Sequence, residues 1–559
     1  MRLFKHMAIA ATATVLLPGI AAAQAEPRER DFPNCDGYTA PGRTTDGFSR
    51  GVSGLSAVWG GGTGASQLRR FEPTYGAPGV ELCTRLLGYR YMLPEYTLRR
   101  ASLLEARALH RLASGGAGEA LADLDLARQS VGSGDALIER SLVLGIRLVH
   151  AYAQLKAGDT AAAASESLAV LAARPYEPTL TLTAARIHFA ATRDMTAYLR
   201  NLREIARIDP NLLSALFTFA LYRGEFEDVI ALHPQIILNR PAAPTGFYQM
   251  PGRVEAIAEL VVRQATLDGA YAYALQARGR PGEADAGIAE ARARIQAAMA
   301  PPVPLPGRSG GLTEDQRNEH RARLARRDEA ERVVRSWERM VRLRRMVADG
   351  NVAGVVADLA TTPIGPNPAA LDLFEAMGTA QPGLRTEMSG AMNDLRLQFA
   401  AGIDRALNLS VQALASALPE PESVQRMPTY DGGGDPDFDA NGYQSLQGRR
   451  SGEQIIRFSS ARGSISIVNE LALLRAAEIA RRAGRHGLLI LRRGGVVRST
   501  INYGGSTTGS GQESEIEVAF VDPQALPADY RDAAWRVLDP EVIWSTLSPI
   551  YLRNGAPAQ

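Results

Sequence analysis

The chain has 559 residues, of which 45% are hydrophobic and 22% charged, so it carries enough apolar material for several folded domains. Its 62 basic and 60 acidic residues nearly cancel, giving a net charge of +2 at pH 7. This balance argues against a general nucleic-acid binder and against a polybasic membrane tether.

The first 23 residues have the pattern of a secretory signal peptide. Arg2 and Lys5 form a basic start, an apolar run follows at residues 7–20, and three alanines at 21–23 supply a cleavage site. The run is short for a bilayer span, which makes an uncleaved anchor the less favoured alternative. We expect cleavage after about Ala23, export to the periplasm, and a mature chain without a transmembrane segment.

The two cysteines, Cys35 and Cys83, lie in a glycine-rich N-terminal segment, residues 24–97. Two thiols exported into an oxidising compartment are expected to bond, and they lack the Cys-x-x-Cys spacing of a redox pair. Their pairing would close a loop of about 50 residues and contribute about 4 kcal/mol in the chain-entropy model. The sequence therefore predicts a structural disulfide.

Residues 98–300 repeat a pattern of helix, tight turn and helix, with alanine at the crowded positions. The clearest copy has Gly158 at its turn and Pro175 at its end, and Pro210 follows about one 34-residue period later. This pattern resembles the tetratricopeptide repeat. The resemblance implies a mainly α fold, an α-solenoid of helix pairs, joined here to a small C-terminal α+β module. An irregular helical bundle is the alternative.

Stacked pairs of this kind line a groove with their first helices. In the register set by Gly158 and Pro175, Tyr152 and Lys156 are the candidate groove residues, one as an aromatic anchor and one as a charge. The alternative is that both merely cover the surface. Three histidines also fall in first helices, and we expect them to pack or line the groove rather than bind metal: His110, His150 and His188.

A Pro/Gly linker at 301–312 separates the repeats from a helical region at 313–418. Thr313 and Gln316 form a capping-box pattern, and a long arginine-rich helix follows to about Ala348. Acidic residues alternate with the arginines, which favours a solvated, ion-paired helix over a surface for anionic lipid or polymer.

After a linker at 419–436, residues 437–523 have the pattern of an α+β module, and 524–559 that of a helical tail. We predict strands at 454–460, 488–492, 496–503 and 515–521, and a helix at 467–483. The run LLRAAE at 473–478 resembles small uncharacterised bacterial envelope lipoprotein domains, which have no established chemistry. Arg475 and Glu478 are expected to form an ion pair on that helix.

Asp437, Asp439 and Asn441, followed by Gly442, place oxygen ligands at alternate positions as in a calcium loop. The twelfth position, which normally supplies a bidentate glutamate, is Gly448. A polar turn is therefore the favoured interpretation, with calcium as the weaker alternative.

Catalytic and cofactor motifs are missing from the sequence: there is no Gly-x-Ser-x-Gly elbow, phosphate loop or His-Glu-x-x-His, and we predict no cofactor. Residues 512–514 mimic part of a lytic transglycosylase motif but fall in a predicted turn. We expect a non-enzymatic, exported interaction scaffold of the bacterial cell envelope that binds other envelope proteins or peptides. The alternative is an envelope enzyme acting on cell-wall polymer through the C-terminal module.

Overall fold

The computed structural model describes residues 31–38, 40–41, 48, 75–132, 134–238, 253–302, 312–365, 367–422, 427–430, 442–450, 452–460, 463–501 and 507–552. The chain is mainly helical, with a small four-stranded antiparallel sheet near its C-terminus. The predicted signal peptide and the candidate calcium ligands Asp437, Asp439 and Asn441 lie outside the described residues.

The N-terminal segment is fixed to the helical region by a disulfide. Helices α1 (Phe32–Asp36) and α2 (Ala77–Leu87) carry the two bonded cysteines, Cys35 and Cys83, which are both buried. Helix α3 (Thr97–Ala113) packs against both helices. The predicted disulfide is therefore present, but α2 had not been predicted.

Helices follow one another as antiparallel neighbours joined by short turns. Helix α3 pairs with α4 (Ala117–Ser130), α5 (Leu144–Ala157) with α6 (Thr160–Ala173), α7 (Pro178–Thr192) with α8 (Met195–Ile208), α9 (Leu213–Arg223) with α10 (Phe226–Leu238), α11 (Arg253–Ala277) with α12 (Pro281–Met299), and α13 (Glu314–Ala348) with α14 (Val352–Thr361). A π-helical turn at Glu139–Val143 leads into α5. The first helices of the pairs are thus α3, α5, α7, α9, α11 and α13.

The turn between α5 and α6 shows why these residues form a helix pair. Gly158 takes the left-handed conformation (φ 89°) and its N–H donates to Leu155 O, while Asp159 N donates to Gln154 O. These two bonds satisfy the last carbonyls of α5 as in a Schellman motif. The Asp159 side chain then caps α6 by accepting from Ala162 N. The predicted turn position of Gly158 is confirmed.

Helix α13 begins at the predicted capping box, where Thr313 and Gln316 bond reciprocally. Its arginines form ion pairs with neighbouring helices: Arg339 with Asp358, Arg344 with Asp372, and Arg345 with Asp285. These contacts agree with the predicted ion-paired helix. Among the helices that the structure describes, none is long and apolar enough to span a membrane.

The next three helices run back along the chain's own helix pairs: α15 (Pro368–Ala380), α16 (Pro382–Leu407) and α17 (Val411–Ser416). Tyr273 of α11 donates its hydroxyl to Ala369 O at the start of α15 (3.1 Å). Further along, the ring of Tyr222 in α9 packs edge-on against Phe399 of α16. The returning chain therefore crosses the first helices in reverse order, an arrangement that the sequence did not predict.

The C-terminal module is a sheet of order β1-β2-β4-β3 with all neighbours antiparallel. Its elements are β1 (Gly442–Gln447), β2 (Glu453–Ser460), α18 (Ile465–Arg482), β3 (Gly487–Ile501) and β4 (Thr507–Val521), followed by a 3-10 segment (Ala528–Arg536) and α19 (Pro540–Tyr551). Helix α18 packs on the sheet and α19 packs on α18. The helical tail agrees with the prediction.

Two strand predictions were wrong in detail. The segments 488–492 and 496–503 belong to one strand, β3, because Gly494 and Gly495 stay extended and pair with Glu515 and Ser514 of β4. Because the pairing of β3 with β4 continues past these glycines, residues 512–514 also lie within β4 and not in a turn. Strand β1 had not been predicted.

We expect Gly158→Val to destabilise the helical region by more than about 1 kcal/mol, because a β-branched residue is penalised at positive φ. No atom lies within 4 Å of a Cβ added at Gly158, so the penalty comes from the backbone alone. Gly158→Asn is the matched control, since asparagine tolerates this conformation better. Equal thermal midpoints for the two variants would contradict the backbone explanation.

Because the two cysteines are bonded to each other, we expect no titratable thiol in the unfolded, non-reduced protein. Cys35 and Cys83 are the chain's only cysteines, and both are bonded. Titration in denaturant should give no thiol before reduction and two after it. Two reactive thiols before reduction would contradict the structure.

Candidate functional site

Residues 408–422, called here the docked segment, lie against the first helices α3 and α5. The segment contains α17 in its middle, and the residues on both sides of α17 have no regular secondary structure. Its side chains Leu409, Leu414, Ala415 and Leu418 are buried in one cluster with apolar residues of α3, α5 and α7. The segment therefore occupies a surface built from residues more than 200 positions earlier in the chain.

Tyr152 of α5 makes the central polar contact with the docked segment. Its hydroxyl donates to the backbone carbonyl of Leu409 (2.8 Å), and its side chain is only 4% exposed. Lys156, one turn further along α5, is exposed, and its ammonium lies 5.1 Å from the centre of the Tyr152 ring. The structure thus places the two predicted groove residues together, with Tyr152 covered by the chain itself.

The end of the docked segment passes over Gly145 of α5. A Cβ added at Gly145 would lie 2.7 Å from Glu105 Oε1 but at an ordinary 3.8 Å from Pro419 Cδ, so the missing side chain makes room for Glu105 of α3 and not for the proline. Beside it is a small cleft lined by Asp36, Ser102, Glu105 and Pro421, among others, with about 20 Å³ of free volume. This volume suits about one water molecule and not a substrate.

A buried charge cluster holds the end of the docked segment and the C-terminal module against the helix pairs. Arg174, at the end of α6, is fully buried, and its Nη2 donates to Glu470 of α18 (2.9 Å) and to Glu422 of the docked segment (3.4 Å). Arg140 donates to the other oxygen of Glu470 (2.7 Å). The Tyr551 hydroxyl of α19 also donates to Glu470.

Glu422 is held by two serine hydroxyls as well as by Arg174. Its backbone N–H donates to Ser141 Oγ (2.9 Å), and its Oε1 accepts from Ser464 Oγ (2.5 Å). Burial raises the pKa of Glu422 to about 7, although Arg174 acts in the opposite direction. Glu470 differs: burial alone would raise its pKa, but Arg174 and Arg140 hold that pKa below its ordinary value. Glu470 is the permanent anion of this cluster, and Glu422 titrates near neutral pH.

The docked segment and the buried charge cluster were not predicted from the sequence, and neither were the residues of that cluster: Arg174, Glu422 and Glu470. One signal was available: Glu470 is an acidic residue inside the apolar run of α18, a position where a buried partner is expected. The partner itself could not be read from the sequence, because Arg174 lies 296 residues away.

The three histidines in first helices pack locally. His110 Nε2 lies 2.8 Å from Cys35 O, His150 lies 3.6 Å from Asp125, and His188 Nδ1 lies 3.3 Å from Ala164 O. His110 also comes close to Cys35 and Cys83 in an arrangement with metal-ligand spacing. Both sulfurs are used by the disulfide, so a metal would have only the histidine nitrogen as ligand.

The acidic residues of β4 are neutralised by arginines across the sheet. Glu513 pairs with Arg457, and Glu515 lies 2.7 Å from Arg457 and 2.8 Å from Arg492. On α18, the expected pair of Arg475 with Glu478 is present at 2.7 Å. Glu513, the residue that mimicked a transglycosylase acid, is therefore part of an ion-pair ladder.

Comparison of the chain with protein-family models, with curated proteins and with solved structures finds no match.

We expect Glu470→Gln to destabilise the protein by about 3–5 kcal/mol, because it leaves the buried Arg174 guanidinium without its main counter-charge. The matched control is Glu375→Gln, which breaks an ion pair with Arg396 that is more than half exposed on both sides. That change should cost at most about 1 kcal/mol. If both variants lost the same free energy of unfolding in urea, the buried Arg174 cluster would contribute no more to stability than an exposed ion pair.

The raised pKa of Glu422 predicts a stability that depends on pH. The protonated form is favoured in the folded state, so its contribution is complete below about pH 4.5 and is lost as the pH rises through about 7. Relative to Glu422→Gln, the wild-type protein should gain up to about 3 kcal/mol between pH 8 and pH 5. Parallel pH profiles of the two unfolding midpoints would contradict this assignment.

Proposed function

We propose that this protein is an exported interaction scaffold of the bacterial cell envelope. Its helix pairs form a solenoid similar to tetratricopeptide repeats, and the inner face of that solenoid binds segments of other envelope proteins or peptides. The observation that carries the proposal is the docked segment: the first helices α3 and α5 hold a stretch of polypeptide that contains one short helix, by a backbone hydrogen bond and apolar contacts.

The chemistry of this face suits polypeptide rather than a small molecule. Tyr152 donates to a backbone carbonyl, a group that every peptide offers, and the apolar side chains around it select for leucine and alanine. The exposed ammonium of Lys156 stands beside this contact and adds a positive charge at its edge. The adjoining cleft has no room for a larger ligand.

Export is supported by the signal-peptide pattern at residues 1–23 and by the disulfide, which persists in oxidising compartments. The near-zero net charge fits partners that are proteins and not nucleic acids. The alternative of a cell-wall enzyme gains no support from the sheet, because its glutamates Glu513 and Glu515 are paired with arginines.

Site-specific photo-cross-linking in the native cell tests the proposal. A cross-linking residue in place of Lys156 should give a defined product with a second protein, since this position borders the peptide-binding face. The same residue in place of Leu168, which is exposed on the second helix α6, is the matched control. Adding Tyr152→Ala should abolish the product at position 156.

Two outcomes would overturn the proposal. The first is equal cross-linking at positions 156 and 168. The second is the absence of products at 156 together with a defined product from Leu446, which is exposed on β1. The second outcome would move the contact to the C-terminal module.

A further inference from the structure

The helix that leads into the docked segment buries few of its side chains completely. All 26 residues of α16 are described, and only Met392, Phe399 and Leu407 among them are buried. Elements with few buried apolar contacts open locally at low free-energy cost. Release of the long helix from the first helices would therefore expose only a few fully buried side chains.

The docked segment itself has the character of a peptide ligand. Ser410 caps α17 by accepting from Ala413 N (3.1 Å), and Leu414 on the next turn is fully buried. Leu418 and Pro419 follow after the helix ends, and Pro419 lies over Gly145 of α5. These side chains form the pattern Ser-x-x-x-Leu-Ala-x-x-Leu-Pro.

We propose that the docked segment is a displaceable internal ligand, and that the partner's binding segment has the same chemistry: a serine-capped helical turn with leucines four and eight residues after the serine and a proline next. This inference rests on the proposed function and names the class of partner for the same face. Contacts of the docked segment with the helices support this pattern. Leu414 is fully buried in the apolar cluster that includes side chains of α3, α5 and α7, and Pro419 lies next to Gly145.

An internal ligand of this kind sets the affinity for partners. A tethered segment acts at a millimolar effective concentration, so an external segment of the same sequence competes poorly until the tethered copy is released. The apparent dissociation constant equals the intrinsic one divided by the fraction of chains whose face is free, so it rises steeply as the tethered copy occupies the face. The wild-type chain is therefore expected to bind partners only when they are abundant or tighter than its own segment.

Binding of a fluorescent peptide with the sequence of residues 408–422 to the full-length chain tests this inference. Leu414→Asp in the chain puts a charge in the apolar site and should release the tethered segment, leaving the face free for the peptide. Anisotropy titration should show saturable binding at least tenfold tighter than to the wild-type chain. Leu397→Asp, at a position of α16 that is 61% exposed, is the matched control and should behave as wild type.

A second variant tests the same inference in case Leu414→Asp does not fold. Phe399→Ala removes the ring contact that holds α16 on Tyr222 without altering the docked segment, and it should also strengthen peptide binding. A peptide that itself carries Leu414→Asp should bind none of the chains. Circular dichroism confirms that each chain used is folded.

Three results would overturn the inference. They are no saturable binding to either folded variant, equal binding to all chains including Leu397→Asp, and dimerisation of the opened variants, which would identify a second copy as the occupant. If the peptide fails while cross-linking at position 156 still depends on Tyr152, the inference is wrong and the proposed function stands. If the peptide does not bind and cross-linking at position 156 does not depend on Tyr152, both the inference and the proposed function are wrong.

Discussion

The structure depends on the need to neutralise one guanidinium that has no access to water. Arg174 ends α6 and is fully buried, and an unpaired charge at such a position would cost several kcal/mol. Glu470 of α18 meets it at 2.9 Å, and Glu422 of the docked segment lies at 3.4 Å. Because these three residues come from distant parts of the sequence, the requirement to pair Arg174 fixes the helix pairs, the returning chain and the C-terminal module together.

Glu470 and Glu422 contribute unequally to the neutralisation of Arg174. Glu470 also accepts from Arg140 and Tyr551, so it supplies a permanent negative charge at the joint. Glu422 accepts from Ser464 and, at longer distance, from Arg174, its backbone N–H donates to Ser141, and burial raises its pKa to about 7. The stronger pair therefore holds the module, while the weaker contact only secures the end of the docked segment.

Local features were readable from the sequence because each depends on neighbouring residues. Gly158 stands at a helix end with positive φ, and the capping box at Thr313 has its predicted partner. Tyr152 was selected by repeat register, but its actual contact, Leu409, lies 257 residues away. Periodicity predicts that a helix has an apolar face and does not indicate which distant segment covers it. The division of β3 into two strands failed similarly, since the pairing of Gly494 with β4 overrode the local preference of glycine for turns.

The unequal contacts of Glu470 and Glu422 with Arg174 determine what is lost when the docked segment leaves the first helices. If a partner segment replaces Leu409 and Leu414, the docked segment withdraws and Glu422 leaves Arg174. The guanidinium keeps its contact with Glu470, so no buried charge is left unpaired and the C-terminal module stays attached. Withdrawal also returns Glu422 to water, where its carboxyl ionises at its ordinary pKa, so displacement becomes easier as the pH rises through about 7. In the proposed exchange, only the contact of Glu422 with Arg174 would be lost, and the contact of Arg174 with Glu470 would remain.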